Sequence, residues 1–197
     1  VSADCDTPPS GREALLVELV DEQGHPIGSC TVSEAHTAPG HLHRAFSVLL
    51  YDDEGRVLLQ QRASVKTRFP LRWSNACCGH PAPGQSVAAA AAVRLAEELG
   101  VEADPADLTE VGVYRYRAED PATGRVESEW DHVLIGRFEG VPPQPDPGEI
   151  DGHAWVRPQA LTEALAAAPA DYTPWLAGVL AAAEQGRASG LAPIVSD

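Results

Sequence analysis

Of the fourteen Lys and Arg residues in this 197-residue chain, only Lys66 is a lysine, and methionine is absent. The lack of methionine implies that Val1 follows a removed residue. No apolar run approaches the roughly 20 residues that cross a bilayer. The Ala-rich stretch 159–183 is broken by Glu163, Pro169, Asp171 and Pro174. No basic start followed by an apolar stretch marks a secretory leader. A soluble, cytoplasmic protein is expected, with a monomer favoured. Cys5, Cys30, Cys77 and Cys78 are too few for a disulfide scaffold. Adjacent Cys77 and Cys78 are poorly placed to bridge each other, and no CxxC spacing suggests a zinc finger. Basic charge is also scarce: the net charge is -15. Such a surface repels nucleic-acid phosphates, so a small-molecule partner is expected.

What is present suits a packed domain, with 44% hydrophobic residues. Residues 1–12 read as a loose N-terminal tail, 13–186 as a single domain and 187–197 as a C-terminal tail. Strands are predicted at 13–20, 44–52, 56–62, 110–117, 128–138 and 151–156, with 44–62 forming a hairpin around DDEG. The segment 25–40 reads as polar and irregular. Residues 86–99 are Ala-rich, start at a Ser86 cap and stop at Gly100, which predicts a helix. Further helices are expected at 158–168 and 174–186. The mixture predicts an α/β (α+β) fold with a mixed sheet.

Four segments carry candidate chemistry. In RLAEELG (94–100), Arg94 and Glu98 share a helix face, either as a solvated ion pair or with Glu98 free to hold a divalent cation. In AHTAPGHLHRAFS (35–47), His36 and His43 could meet a metal only if the loop folds over the sheet. His41 could join them or stay solvated. In NACCGHP (75–81), Cys78 and His80 lie two apart on one strand face, with Cys77 opposite. Cys78 could be reactive or a buried structural thiol. In VESEWDH (126–132), Glu127 and Glu129 face the same way, and like charges so placed attract a cation. The acidic chain reverses sign locally at Arg62, Lys66, Arg68 and Arg72.

The segment Gly79–Gly100 resembles the Nudix box, keeping Gly79, Glu97, Glu98 and Gly100. Gln85, Val93 and Arg94 replace box residues, which argues against ordinary pyrophosphate hydrolysis. Together AHTAPGHLHRAFS, LRWSNACCGHP and VESE resemble type 1 isopentenyl-diphosphate isomerase over about Glu13–Trp175. That resemblance implies a Nudix-type α/β/α sandwich. It implies that His36, His43, His80, Glu127 and Glu129 ligate a metal, with Cys78 and Glu129 as the acid–base pair and Tyr116 bonded to the catalytic carboxylate. Glu98 would help bind a Mg²⁺ associated with the diphosphate. Arg62, Lys66 and Arg94 would grip that diphosphate, and Trp175 would line the hydrocarbon pocket.

In the His/Glu site, Mn²⁺ or Mg²⁺ suits high coordination, whereas Zn²⁺ suits three imidazoles. Where the family commonly carries a lysine, this chain has Val32, so a phosphate contact is lost or supplied by another residue such as Arg68. The expected reaction converts isopentenyl to dimethylallyl diphosphate in isoprenoid biosynthesis. The alternative is a Nudix hydrolase of a nucleoside diphosphate derivative.

Overall fold

The computed structural model describes residues 11–191. Most of the expected N-terminal tail, with Cys5, and residues 192–197 of the C-terminal tail lie outside the described residues. The sheet is organised around β3 (His43–Tyr51), which runs parallel to β8 (Val126–Arg137) over nine residue pairs. β8 pairs antiparallel with β7 (Thr109–Glu119). On its other side β3 meets β6 (Cys77–Gly79). β4 (Val57–Arg62) pairs antiparallel with both β5 (Trp73–Asn75) and β9 (Ile150–Val156).

Alternation along β3 sends successive side chains to opposite layers. Phe46, Val48 and Leu50 pack with Leu95 and Leu99 of α2 (Val87–Leu99). Leu49 and Tyr51 join Val133, Leu161 of α3 (Pro158–Ala167), and Leu176 and Val179 of α4 (Leu176–Ala188). The mixed sheet between helical layers is the expected α/β/α sandwich. Each fully buried Leu contributes about 1.5–3 kcal/mol relative to exposure. α2 begins where Ser86 accepts from the Ala89 N–H and ends at Gly100, whose φ of 63° suits glycine.

Four sequence expectations need correction. The first strand starts later: Gly11–Ala14 is a 3-10 turn and β1 is Leu16–Val20. The segment 25–40 is not irregular throughout. It holds β2 (Pro26–Thr31), which pairs with β1, and the short helix α1 (Val32–Ala35). β2 is largely exposed, so no burial pattern announces it. A Thr31–Glu34 capping box starts α1 and its C-cap is His36. The 44–62 hairpin is splayed: β3 and β4 pair only at Tyr51 and Val57 before diverging to different neighbours. The last helix also runs to Ala188, beyond its predicted end.

Candidate metal centre and active-site cavity

Glu129 sits in register with His43 on β3 and with Tyr116 on β7. His36 closes α1, His80 follows β6, and Glu127 lies two residues before Glu129 on the same face of β8. One donor atom from each of His36, His43, His80, Glu127 and Glu129 lies within 4.8 Å of all the others. The three imidazole centroids are 4.7–5.0 Å apart. His41 is exposed and its ring is not in this group.

The donor chemistry fits a cation. His36 Nδ1 lies 2.7 Å from the Val32 carbonyl and His43 Nδ1 lies 2.7 Å from the His41 carbonyl. Each Nδ1 therefore donates, leaving Nε2 as a bare acceptor. Both Nε2 atoms are buried without a hydrogen-bond partner, as is Glu127 Oε2. Yet His36 Nε2 and Glu127 Oε2 are 2.7 Å apart. The close pair lacks hydrogen-bond geometry, so it is two lone pairs in opposition. A proton or metal ion between them removes that repulsion. Burial raises the pKa of Glu129, but the nearby His43 ring and the bond from His80 outweigh it and hold this carboxyl well below the usual range. Burial lowers His80 to about 4, which keeps its imidazole neutral. These are the protonation states that metal ligation requires.

Cys78 lies opposite Ser47 in the β3–β6 ladder. Its Sγ is 3.6 Å from Ser47 Oγ and donates to Asn75 Oδ1 at 3.2 Å. Ser47 in turn donates to Asp131 at 2.7 Å. Burial first, then the neighbouring Asp131, pushes the Cys78 thiol up to about 12. Cys77 points to the other layer and is fully buried, as its alternation predicts. Gly79 is required by packing: a Cβ there would meet Phe46 Cζ at 2.8 Å.

A cavity of about 740 Å³ opens onto Cys78, His80, Glu127 and Glu129. Tyr116 and Trp175 form part of its wall, as do Lys66, Arg94 and Glu98. Tyr116 donates to Glu129 Oε2 at 2.6 Å and its ring lies 5.7 Å from that of Trp175. Lys66 and Arg94 both pair with Glu149, and Arg94 also holds Glu98 and Glu97. Arg62 lines the cavity, but its recorded hydrogen bonds go to the carbonyls of Arg68 and Phe69. Its guanidinium also lies 5.6 Å from the Trp175 ring centroid. Arg68, which could have replaced the missing lysine at Val32, instead bonds Glu127 and Glu13.

Sequence reasoning missed Glu149, Asn75 and Asp131. Glu149 falls in the Pro-rich loop before β9, where no periodicity marks it. The i, i+2 pattern of Glu127 and Glu129 extends to Asp131 and could have found it.

The NUDIX domain family model matches residues 41–176. The chain is 68% identical over 170 residues to the isopentenyl-diphosphate Delta-isomerase of Nocardia farcinica, covering 86% of this chain and 95% of that one. It is 49% identical to the isopentenyl-diphosphate Delta-isomerase of Streptomyces griseus, covering 87% and 84%. A Deinococcus radiodurans protein solved by crystallography superposes with a TM-score of 0.68 at 21% identity, covering 84% of this chain and 97% of that chain. A MutT protein from Methanosarcina mazei gives 0.57 at 14% identity, covering 76% and 95%. These two structures support the fold alone, while the sequence relatives fix the family. The chain therefore belongs to the isopentenyl-diphosphate Delta-isomerase family of NUDIX-domain proteins.

Proposed function

We infer that this protein isomerises isopentenyl diphosphate to dimethylallyl diphosphate. The observation that carries the reading is one cavity lined by the Cys78 thiol, by members of the five-donor group and by Lys66 and Arg94. The substrate needs both kinds of group. Its alkene must gain a proton at one carbon and lose another two carbons away, through a tertiary carbocation-like state. Its diphosphate supplies binding energy remote from that chemistry.

Lys66 and Arg94 grip the diphosphate, with Glu98 contributing to a Mg²⁺ that neutralises it. Arg62 braces the loop that presents Lys66. Cys78 and Glu129 act as the acid–base pair on the alkene. With the thiol held neutral and Glu129 ionised, the proton balance favours Cys78 as donor and Glu129 as acceptor. Tyr116 orients the Glu129 carboxylate. Trp175 presents an aromatic face that stabilises the cation by roughly 0.5–2 kcal/mol without adding water.

His36, His43, His80, Glu127 and Glu129 would hold a divalent ion, which would supply positive charge favouring the ionised form of Glu129. Five protein donors favour Mn²⁺ or Mg²⁺ over a four-coordinate Zn²⁺ site, and the three imidazoles favour Mn²⁺ of those two. Elemental analysis after metal reloading identifies the ion.

The deciding experiment is NMR of isopentenyl diphosphate with enzyme and Mg²⁺ in D₂O. Dimethylallyl diphosphate carrying solvent deuterium is expected, without phosphate release. Hydrolysis in place of isomerisation refutes the reading. Folded Cys78→Ala and Glu129→Gln variants are expected to lose nearly all turnover.

A further inference from the structure

Asn75, at the end of β5, is fully buried between two of the groups placed in the reaction. Its Nδ2 donates to the carbonyls of Val48 at 3.2 Å and Cys77 at 2.8 Å. Those two bonds fix which side of the amide carries the oxygen. Oδ1 then faces three donors: Ser74 Oγ at 3.1 Å, Cys78 Sγ at 3.2 Å and Trp175 Nε1 at 3.1 Å. The segment bearing Trp175 is tied to the same strand, because Thr173 N–H donates to the Trp73 carbonyl and Thr173 Oγ1 to Ser74 Oγ.

We propose that Asn75 is a positioning residue for the isomerisation, its side-chain oxygen holding the Cys78 thiol and the Trp175 indole in fixed relation across the hydrocarbon end of the cavity. This rests on the acid–base reading of Cys78. An alkene must lie between the proton donor and the surface that stabilises its cation, so their separation has to be set before substrate arrives. A rigid amide bonded to both sets it. The thiol is the weakest of the three donors, so its bond to Oδ1 is the easiest to exchange when the proton leaves for carbon. Ser47 Oγ lies 3.6 Å from the sulfur, but its own proton is directed to Asp131, so the thiol proton is left to Asn75.

The test is the near-isosteric Asn75→Leu variant of the full chain, loaded with Mn²⁺ and Mg²⁺. A fall in kcat of about 10²-fold is expected, with KM for isopentenyl diphosphate within about threefold because Lys66 and Arg94 are untouched. The Trp175 indole N–H resonance, assigned by its loss in Trp175→Phe, should shift. If Asn75→Leu does not fold, Asn75→Ser replaces it, since its hydroxyl falls short of both donors.

Parental kcat in the folded variant, or an indole resonance that does not move, overturns the proposal. Cys78→Ala, assayed in parallel, separates the two readings. If it retains activity, the role of Cys78 fails. If it is inactive while Asn75→Leu is fully active, only the positioning role fails.

Discussion

Tyr116 and Glu129 face each other across the β7–β8 ladder, and the phenol donates to Glu129 Oε2 at 2.6 Å. Burial first, then the Glu129 charge, raises the Tyr116 pKa well above its ordinary value, so this donor stays protonated at any working pH. Tyr116→Phe leaves Glu129 ionised but free to turn, whereas Glu129→Gln removes the base itself. We expect kcat to fall about 10–10²-fold in the first and at least 10³-fold in the second. Steady-state kinetics with both folded proteins check the order, and equal losses rule out a supporting role for Tyr116.

The elevated pKa of Cys78 predicts low reactivity. Burial and Asp131 push the thiol up to about 12. At pH 8 roughly one molecule in 10⁴ then carries the thiolate. Iodoacetamide should label Cys78 at least about 10²-fold more slowly than free cysteine. Peptide mapping of a Cys77→Ala background reads the rate, and labelling at the free-cysteine rate contradicts the held proton.

Metal binding should depend on pH in a defined direction. Burial lowers the pKa of His43, but the Glu129 carboxylate, 3.7 Å from its Nε2, outweighs it and the net shift is upward. A raised folded pKa gives stability that is complete below the unfolded value of about 6.5 and is lost as pH rises through the folded value. The metal-stripped protein should therefore lose Tm as pH rises above about 6.5. A cation needs the neutral ring, so the Tm gain on adding Mn²⁺ should grow over the same interval. Paired thermal melts measure both trends. A metal-induced gain that shrinks with rising pH contradicts ligation by His43.

Glu149 pairs with Lys66 and Arg94 in the cavity wall. An incoming anion must share or displace it. In chelator, Glu149→Gln should bind inorganic pyrophosphate about three- to tenfold more tightly, as expected for releasing partly exposed charge pairs. Titration calorimetry reports the change, and weaker binding by the variant counts against this competition.

α4 approaches β7 through a glycine. A Cβ on Gly178 would meet Tyr114 Cζ at 2.1 Å, and Tyr114 stacks on Tyr116. Gly178→Ala should cost about 1–3 kcal/mol of stability through overpacking. Denaturant unfolding measures it, and an unchanged midpoint shows that the helix can retreat freely.

The sequence made α2 and the core strands legible because their signals are local: an Ala run between Ser86 and Gly100, and alternation along 44–52 and 128–138. Glu127 and Glu129 were legible as an i, i+2 pair and His80 by its spacing from Cys78, whereas His36 and His43 were joined to them only by the family resemblance. Glu149 and Asn75 were not. Their partners lie far away in sequence, with Glu149 83 residues from Lys66 and Asn75 100 residues from Trp175, so no short pattern records them. The roles of Arg62 and Arg68 were obscured for a related reason. A cation in a basic loop looks the same whether it faces an anion, a loop carbonyl or Glu127.

His43 and Ser47 project from the same side of β3 as Glu127 and Glu129 do from β8. A slip of β3 by one position would aim Arg44 at the other donors and bury His43 beneath α2. The register that fills the core is therefore also the one that gathers the five donors.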